Sequence, residues 1–246
     1  MVLCIIYIMK YEKDDLLNLY KIKVEEHWYT IFNPILNYLG DLNGKNILDI
    51  GCGSGELTNK LADTAEKVVG LDFSEKWIEH CNNNYKRDNL SFVQGNAANL
   101  KEFPDQYFDI IIMNMVLPNI YKVADMEKIF SEIKRVIKVS GDFIFSDLHP
   151  ICIMTKEVGM RKEKYSKNFS YFKEGSKFTA MVILPNKKEI EFEDAHWSLA
   201  FYMEMLNKNN FSLNKIIESR YPKNAPKKFY RYNIPEYITF CCKKIK

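Results

Sequence analysis

The sequence predicts an α/β fold: a doubly wound, mostly parallel sheet of seven strands with a hairpin lid inserted after the fifth. Three observations predict it. An apolar strand runs into a glycine turn and a helix within Ile47–Leu57 (ILDIGCGSGEL), short apolar runs then alternate with helical stretches as far as residue 148, and the alternation stops for nearly fifty residues before a helix and two closing strands. With 246 residues and 47% hydrophobic content, the chain can bury a full core as one domain with an elaboration.

The elements follow in order. Residues 12–40 read as largely helical, with Pro34 inside a new first turn. Ile47, Leu48 and Ile50 form a nearly continuous apolar run, which suits a parallel strand covered on both faces. Gly51, Gly53 and Gly55 give positions without a Cβ, where the backbone can turn sharply and a ligand can approach it. Leu57, Leu61, Ala62 and Ala65 then recur at helical spacing, with Ser54 as the expected cap. VVGLD is the second strand, ending in Asp72, and Ser74 caps the helix that carries Trp77, Ile78, Cys81 and Tyr85. LSFVQ and YFDIIIMN are strands three and four. Met126, Ile129, Phe130, Ile133, Val136 and Ile137 mark a helix of period 3.6 that Gly141 is expected to end, before DFIFSDL as strand five. KFTAMVIL and KKEIEFED, separated by Pro185 and Asn186, read as the hairpin; helix SLAFYMEMLNK and strands FSLNKIIES and EYITFCCK close the chain.

The glycine turn departs from a dinucleotide fingerprint. The position three beyond Gly53 is Glu56, where G-x-G-x-x-G would have a glycine, and an acidic residue beside a helix N-terminus is a poor host for a pyrophosphate. Asp72, about 20 residues on, can accept both hydroxyls of a ribose. The expected ligand therefore carries a ribose but no diphosphate.

These residues resemble the class I S-adenosylmethionine-dependent methyltransferases, in particular the small-molecule group related to quinone-biosynthesis methyltransferases. ILDIGCGSG is similar to the family's glycine loop, VVGLDFS to its second strand with the ribose acid, FVQGNAANL to its third strand and adenine loop, and FDIIIMNMVLPNI to its fourth strand; the resemblance covers roughly residues 30–242. It implies a Rossmann-like methyltransferase fold, S-adenosyl-L-methionine as cofactor and S-adenosyl-L-homocysteine as product. By this resemblance the cofactor residues are Asp49, Gly51, Cys52, Gly53, Gly55, Asp72, Phe73, Asn96, Ala97, Asn114 and Met115. Asn96 stands where the group usually has Asp against the adenine amino group; its carbonyl oxygen can accept the same hydrogen bond without the charge. The chain then divides into an N-terminal helical segment (1–40), a cofactor-binding core (41–148), a lid over the acceptor site (149–195) and a C-terminal completion of the sheet (196–246).

Transfer of a methyl from a sulfonium requires mainly alignment, which can contribute on the order of 7–11 kcal/mol, and a base only if the acceptor is a hydroxyl or a protonated amine. His149, after strand five in SDLHP, and His196, between the hairpin and the next helix, fall where a base would stand. Each also has a plain structural reading, as a backbone hydrogen-bonding group at a strand end and as part of a helix entry. His80 sits in a polar helical stretch and His27 beside Trp28 and Tyr29, either a pocket wall or an ordinary amphipathic helix. Tyr20, Trp28, Tyr29, Tyr171 and Phe172 are the candidate acceptor-pocket residues, from the first helix and the aromatic lid that also holds Tyr165, Phe169 and Phe178. These lid aromatics can equally serve only to pack the hairpin on the sheet.

Other classes lose ground on what is absent. Asn114 and Asp147 end neighbouring strands, but no third carboxylate completes an oxygen site, so no metal is expected. The fourth strand ends NMVL, not in the Pro-Pro-Tyr type of sequence used on nucleic-acid and protein amides, and Pro118 and Asn119 occupy the place of a common pocket histidine. The opening MVLCIIYIM is too short to span a bilayer and lacks a cleavage site; it reads as a pairing segment or as a start misassigned ahead of Met9. Six cysteines without metal or disulfide spacing fit reduced thiols in cytoplasm. Net charge is +3, but residues 1–100 carry −4 and 220–246 carry +7. The basic end reads as a lysine-protected strand edge or, alternatively, as an attraction for an anionic acceptor or RNA. The expected partner is a small-molecule acceptor, with no membrane and with nucleic acid disfavoured, for a monomer or homodimer; an RNA methyltransferase and a non-catalytic S-adenosylmethionine-binding module are the alternatives.

Overall fold

The structure, a computed structural model, describes residues 23–151, 157–158, 161–165, 169–183, 187, 189–223, 225 and 234–246. The expected helix before residue 23 with Tyr20, the apolar opening with Met9, the side chain of Tyr165 and the Pro185–Asn186 turn lie outside the described residues.

Buried parallel strands set the frame. β1 (Asn46–Ile50), β2 (Lys67–Asp72), β3 (Leu90–Gln94), β4 (Phe108–Asn114) and β5 (Ile137–Leu148) pair in parallel, and β10 (Phe211–Glu218) and β11 (Tyr237–Lys244) complete a seven-stranded sheet in the order β10-β11-β5-β4-β1-β2-β3. β11 alone runs antiparallel to its neighbours. The order reverses between β1 and β4, and in an open sheet of this kind a ligand crevice forms beyond the carboxyl ends of the strands at that point. Ile47, Leu48, Ile50 and the run Ile110–Met113 are buried, as strands covered on both faces require.

The helices follow the apolar spacing, with boundaries decided by backbone geometry. Residues 23–27 are helical, a π turn spans Trp28–Phe32 and α1 is Asn33–Leu39. Pro34 has no N–H and its ring collides with the carbonyl four residues back, so a regular ladder cannot pass through it; the wider turn, with Asn33 N–H reaching Trp28 O, re-registers the helix. α2 (Glu56–Leu61) is capped by Gly55 in the left-handed region, φ 82°, and not by Ser54, whose hydroxyl instead donates to Glu56. α3 is Glu75–Asn84 and α4 is Val123–Val136, which buries Met126, Ile129, Phe130, Ile133 and Val136. α4 passes straight into β5 at Ile137, so Gly141 does not end the helix. It lies inside β5, after Ser140 at φ 61°, where a Cβ would stand 2.9 Å from Asp109 O. Ser198 caps α5 (Leu199–Lys208) by accepting from Phe201 N–H.

The segment after β5 is larger than a hairpin. β6 (Glu157–Val158), β7 (Arg161–Tyr165), β8 (Ser176–Ile183) and β9 (Glu189–His196) form an antiparallel four-stranded sheet, of which β8 and β9 are the expected pair. β7 reads RKEKY, four charges in five residues, so no apolar alternation marks it in the sequence. The expected lysine-protected edge at the C-terminus is also corrected. β11 is interior, and Lys244, 6% exposed, donates from Nζ to the carbonyls of Lys134 and Ile137 at the end of α4.

Phe145, fully buried, stacks on Phe240 at 4.7 Å and on Phe143 at 5.2 Å between ring centroids. Phe145→Ala is expected to lower stability by about 3–5 kcal/mol, read from urea unfolding; a loss below about 1 kcal/mol would show that this aromatic stack does not hold the sheet's centre.

Candidate active site

One cavity of about 630 Å³ opens at the carboxyl edge of the sheet. Its base is the turn after β1. Gly51, Gly53 and Gly55 have φ of 73°, 53° and 82°, a region in which side chains are strained. A Cβ on Gly51 would also stand 2.3 Å from Val116 Cγ2, so the β1 turn and the β4 loop meet only because that Cβ is missing.

Two carboxylates hold the turn. Asp72, at the end of β2, accepts from Gly53 N–H at 2.9 Å through Oδ2 and from Ser74 N–H at 2.8 Å through Oδ1. It therefore joins the two turns, and its carboxyl is raised by burial against the pull of these amides. Asp49, 2% exposed, accepts from Thr58 Oγ1 at 2.7 Å. Burial, with the Asp72 charge adding to it, lifts Asp49 to about 7 despite the Thr58 hydroxyl.

The β4 end supplies the opposite wall. Asn114 Oδ1 accepts from Ser146 Oγ at 2.9 Å, while its Nδ2 is buried with no partner. Met115 follows at φ 54° and donates from its amide to Ser146 O. Beyond β3, Asn96 Oδ1 accepts from Ala98 N–H at 2.9 Å, closing the loop that lines the far end. The residues fit a phosphate-free nucleoside whose tail carries both a positive charge and a hydrogen-bond acceptor: a carboxylate pair for the charge, a cradle that a Cβ would fill, and the orphaned amide donor of Asn114 for the acceptor.

Asp49, Gly51, Cys52, Gly53, Asp72, Phe73, Asn96, Ala97, Asn114 and Met115 all line this cavity; Gly55 does not, and serves as the cap of α2. The two candidate bases lie elsewhere. His149 Nε2 pairs with Glu218 Oε1 at 3.1 Å and its Nδ1 accepts from Ile151 N–H. His196, 1% exposed, places Nε2 at 3.1 Å from Tyr171 O, and its Nδ1 is buried without a partner. Burial lowers both imidazoles, and neither lines the cavity. Tyr171 packs on His196, Phe172 is 89% exposed, and Phe178 and Phe169 pack in the core with Trp28. Trp28, Tyr29, Tyr171 and Phe172 are all absent from the lining. Among the described residues no group of three His, Cys, Asp or Glu side chains can hold a metal.

The cavity instead takes Lys23, Val24, His27 and Phe32 from the first helical segment and Tyr121 from the loop after β4. Positions 23, 24 and 27 share one helical face, and the π turn brings Phe32, five residues on, onto that face. The signal was present as the spacing before Pro34, but only the π turn selects this face over the one bearing Trp28 and Tyr29.

Asp49 generates a pH dependence. Unfolded, its carboxyl ionises near 3.8; folded, it keeps its proton up to about 7. The folded chain holds the extra proton between those values, so this group's contribution to stability falls as pH rises through that window. Urea unfolding is expected to show a loss between about pH 5 and about pH 7 that Asp49→Asn flattens; an unchanged slope in the variant would assign the dependence elsewhere.

Comparison with known proteins gives the family and the fold. Residues 41–211 match the family described as "Methyltransferase domain". The chain is 32% identical over 160 residues to a demethylmenaquinone methyltransferase of Lactococcus lactis, covering 63% of this chain and 59% of that one. It is 34% identical over 112 residues to a fatty-acid O-methyltransferase of Mycolicibacterium smegmatis, covering 45% and 39%. The chain thus spans less than two thirds of the length of these relatives. An S-adenosylmethionine-dependent methyltransferase structure from Mesorhizobium loti superposes with a TM-score of 0.63 at 17% identity, covering 85% of this chain and 96% of that one.

Proposed function

The chain belongs to the methyltransferase-domain family, and from that premise we propose that it is an S-adenosylmethionine-dependent methyltransferase acting on an oxygen or nitrogen of a small-molecule acceptor. The observation that carries this reading is the single cavity in which the glycine turn, Asp72, Asn96 and the orphaned amide of Asn114 meet. The relatives named for menaquinone and fatty-acid methylation support a small acceptor.

When bound, S-adenosylmethionine supplies a methyl group on a sulfonium for in-line displacement. Asp72 retains open lone pairs beside its two backbone bonds and accepts the ribose hydroxyls. Gly51–Gly53 let the backbone run against the ligand. Asp49 beneath the turn and Asn114 Nδ2 beyond it hold the amino-acid end, and a cationic group there would draw the proton from Asp49. Asn96 accepts from the adenine amino group with its remaining lone pair.

Residues 41–148 act as the cofactor-binding core in this reading, flanked by the helical segment before it and completed by residues 196–246. No described helix is long and apolar enough to cross a membrane, and the free thiols Cys52, Cys81, Cys241 and Cys242 support a cytoplasmic setting. RNA is the weaker acceptor, because Lys244 is used inside the fold.

Incubating the protein and methyl-labelled S-adenosylmethionine with metabolite and RNA fractions, then identifying the labelled product by mass, tests the reading. Label in a small molecule supports it, and label in RNA alone or in nothing overturns it. Asp72→Ala removes hydrogen bonds to a charged group worth about 1.5–3 kcal/mol. Calorimetry is expected to show a cofactor affinity roughly ten- to a hundredfold weaker, with thermal unfolding checking that the variant folds; an unchanged affinity would remove Asp72 from the ribose.

A further inference from the structure

Resting on the methyl-transfer reading above, we propose that Ser146 and Thr239 are positioning residues, which hold the Asn114 amide with its N–H end towards the carboxylate of the cofactor's amino-acid tail. Register is the first argument. Asn114 in β4 pairs with Ser146 in β5, and Ser146 with Thr239 in β11, so the three form one row across three adjacent strands. Side chains paired in this way stand on the same face of the sheet. Two positions earlier the same row reads Ile112, Ile144 and Cys241, all buried. Two positions later, Leu148 pairs with Tyr237, and both are buried again. An amide and two hydroxyls thus interrupt an apolar face at the carboxyl edge of the sheet, where the cavity opens.

Bonding is the second argument. Ser146 and Thr239 are buried, and a buried hydroxyl is unfavourable unless it is hydrogen-bonded, so apolar side chains would serve packing alone better. Ser146 Oγ donates to Asn114 Oδ1 at 2.9 Å. That commits its one proton, so Thr239 Oγ1 is the donor in the 2.9 Å bond between the two hydroxyls. The chain therefore runs in one direction, from Thr239 through Ser146 to Asn114. It ends on an accepting oxygen and leaves Nδ2 buried with no partner among the described residues. With the amide turned over, the row would present an oxygen to a cavity that already holds the carboxyls of Asp49 and Asp72. The order drawn presents a donor instead.

Placement assigns that donor its ligand group. Met113 pairs with Ile50, so Asn114 stands level with Gly51 at the start of the glycine turn. The strands β2, β1 and β4 lie side by side, and a tail that leaves the ribose at Asp72 and crosses the turn reaches Asn114 next. The ammonium and the carboxylate on this tail need opposite partners. Asp49 beneath the turn suits the first, and an amide N–H, which can only donate, suits the second. Ser146 and Thr239 do not line the cavity, so they act on the ligand through the amide.

The test compares two probes on the whole protein by calorimetry: S-adenosylhomocysteine, which keeps the amino-acid tail, and methylthioadenosine, which lacks it. Asn114→Ala is expected to weaken S-adenosylhomocysteine at least about tenfold, Ser146→Ala about fivefold and Thr239→Val about threefold, each leaving methylthioadenosine within about twofold of the wild type. Thr239→Ser, which restores the hydroxyl, is expected to bind both probes as the wild type does. Ser146→Ala combined with Asn114→Ala is expected to lie within about twofold of Asn114→Ala alone, because the serine acts through the amide. Thermal unfolding checks the fold of each variant, and the Thr239 pair carries the comparison where Ser146→Ala does not fold. The proposal is overturned if the hydroxyl variants weaken both probes alike or neither, or if the double variant multiplies the two single losses. Wild-type protein that binds neither probe overturns the methyl-transfer reading, and this proposal with it; wild-type protein that binds both with equal affinity overturns only the role of the row.

Discussion

The carboxylate of Asp72, bonded to the amides of both Gly53 and Ser74, is the interaction on which the site depends. It fixes the β1 turn to the β2 turn, so two loops that follow different strands behave as one surface. The turn can close in this way because Gly51, Gly53 and Gly55 adopt positive φ, which would cost an ordinary residue about 1–2 kcal/mol each. Beneath it, Asp49 is buried close enough to feel the Asp72 charge. Burial first, and the Asp72 charge in addition, leave Asp49 poorly ionised, and a positive charge placed beside it would favour its ionised form.

The cavity's other wall is held by a buried polar cluster. Lys23 Nζ lies 2.8 Å from Glu26 Oε2, 3.2 Å from Glu236 Oε1 and 3.1 Å from the Tyr237 hydroxyl. Burial alone would raise Glu26, but Lys23 and a hydrogen bond from Tyr221 hold it at about 2. Breaking such a pair leaves a buried charge uncompensated, a loss of roughly 3–5 kcal/mol. The cluster thus anchors the first helical segment to β11, and with it the face that carries His27 into the cavity. The π turn forced ahead of Pro34 completes that face with Phe32.

The second sheet has a different part. Tyr121, which lines the cavity, donates from its hydroxyl to Glu193 O, and Lys177 Nζ lies 4.5 Å from the Tyr121 ring centroid. Gly175 lacks a Cβ where one would stand 2.6 Å from Tyr121 O. Glu174 receives both the amide and the hydroxyl of Ser198, which ties the sheet to the start of α5. Phe169, Phe178 and Tyr171 are spent on packing, and among the described residues Tyr121 links this sheet to the cavity lining.

The sequence by itself determined the parallel core, because continuous apolar strands and a period of 3.6 in α4 leave few other ways to bury those side chains. It also determined the nucleotide-like end of the site. A glycine turn after a strand and an acid at the next strand end are local patterns, and ten of the eleven residues nominated by the family resemblance that these patterns carry line one cavity. Local pattern misplaced the ends of elements, at Gly55 and Gly141, where left-handed backbone and close approach decide. β7, which reads RKEKY, carried no apolar alternation and was invisible for that reason. Which histidine lines the cavity was decided by tertiary structure alone: His149 and His196 stand at strand ends that the chain turns towards Glu218 and Tyr171 O, while His27 reaches the cavity through the placement of a helix against β11. A sequence specifies which residues neighbour one another along an element, but which face of that element meets the cavity is set by what packs behind it.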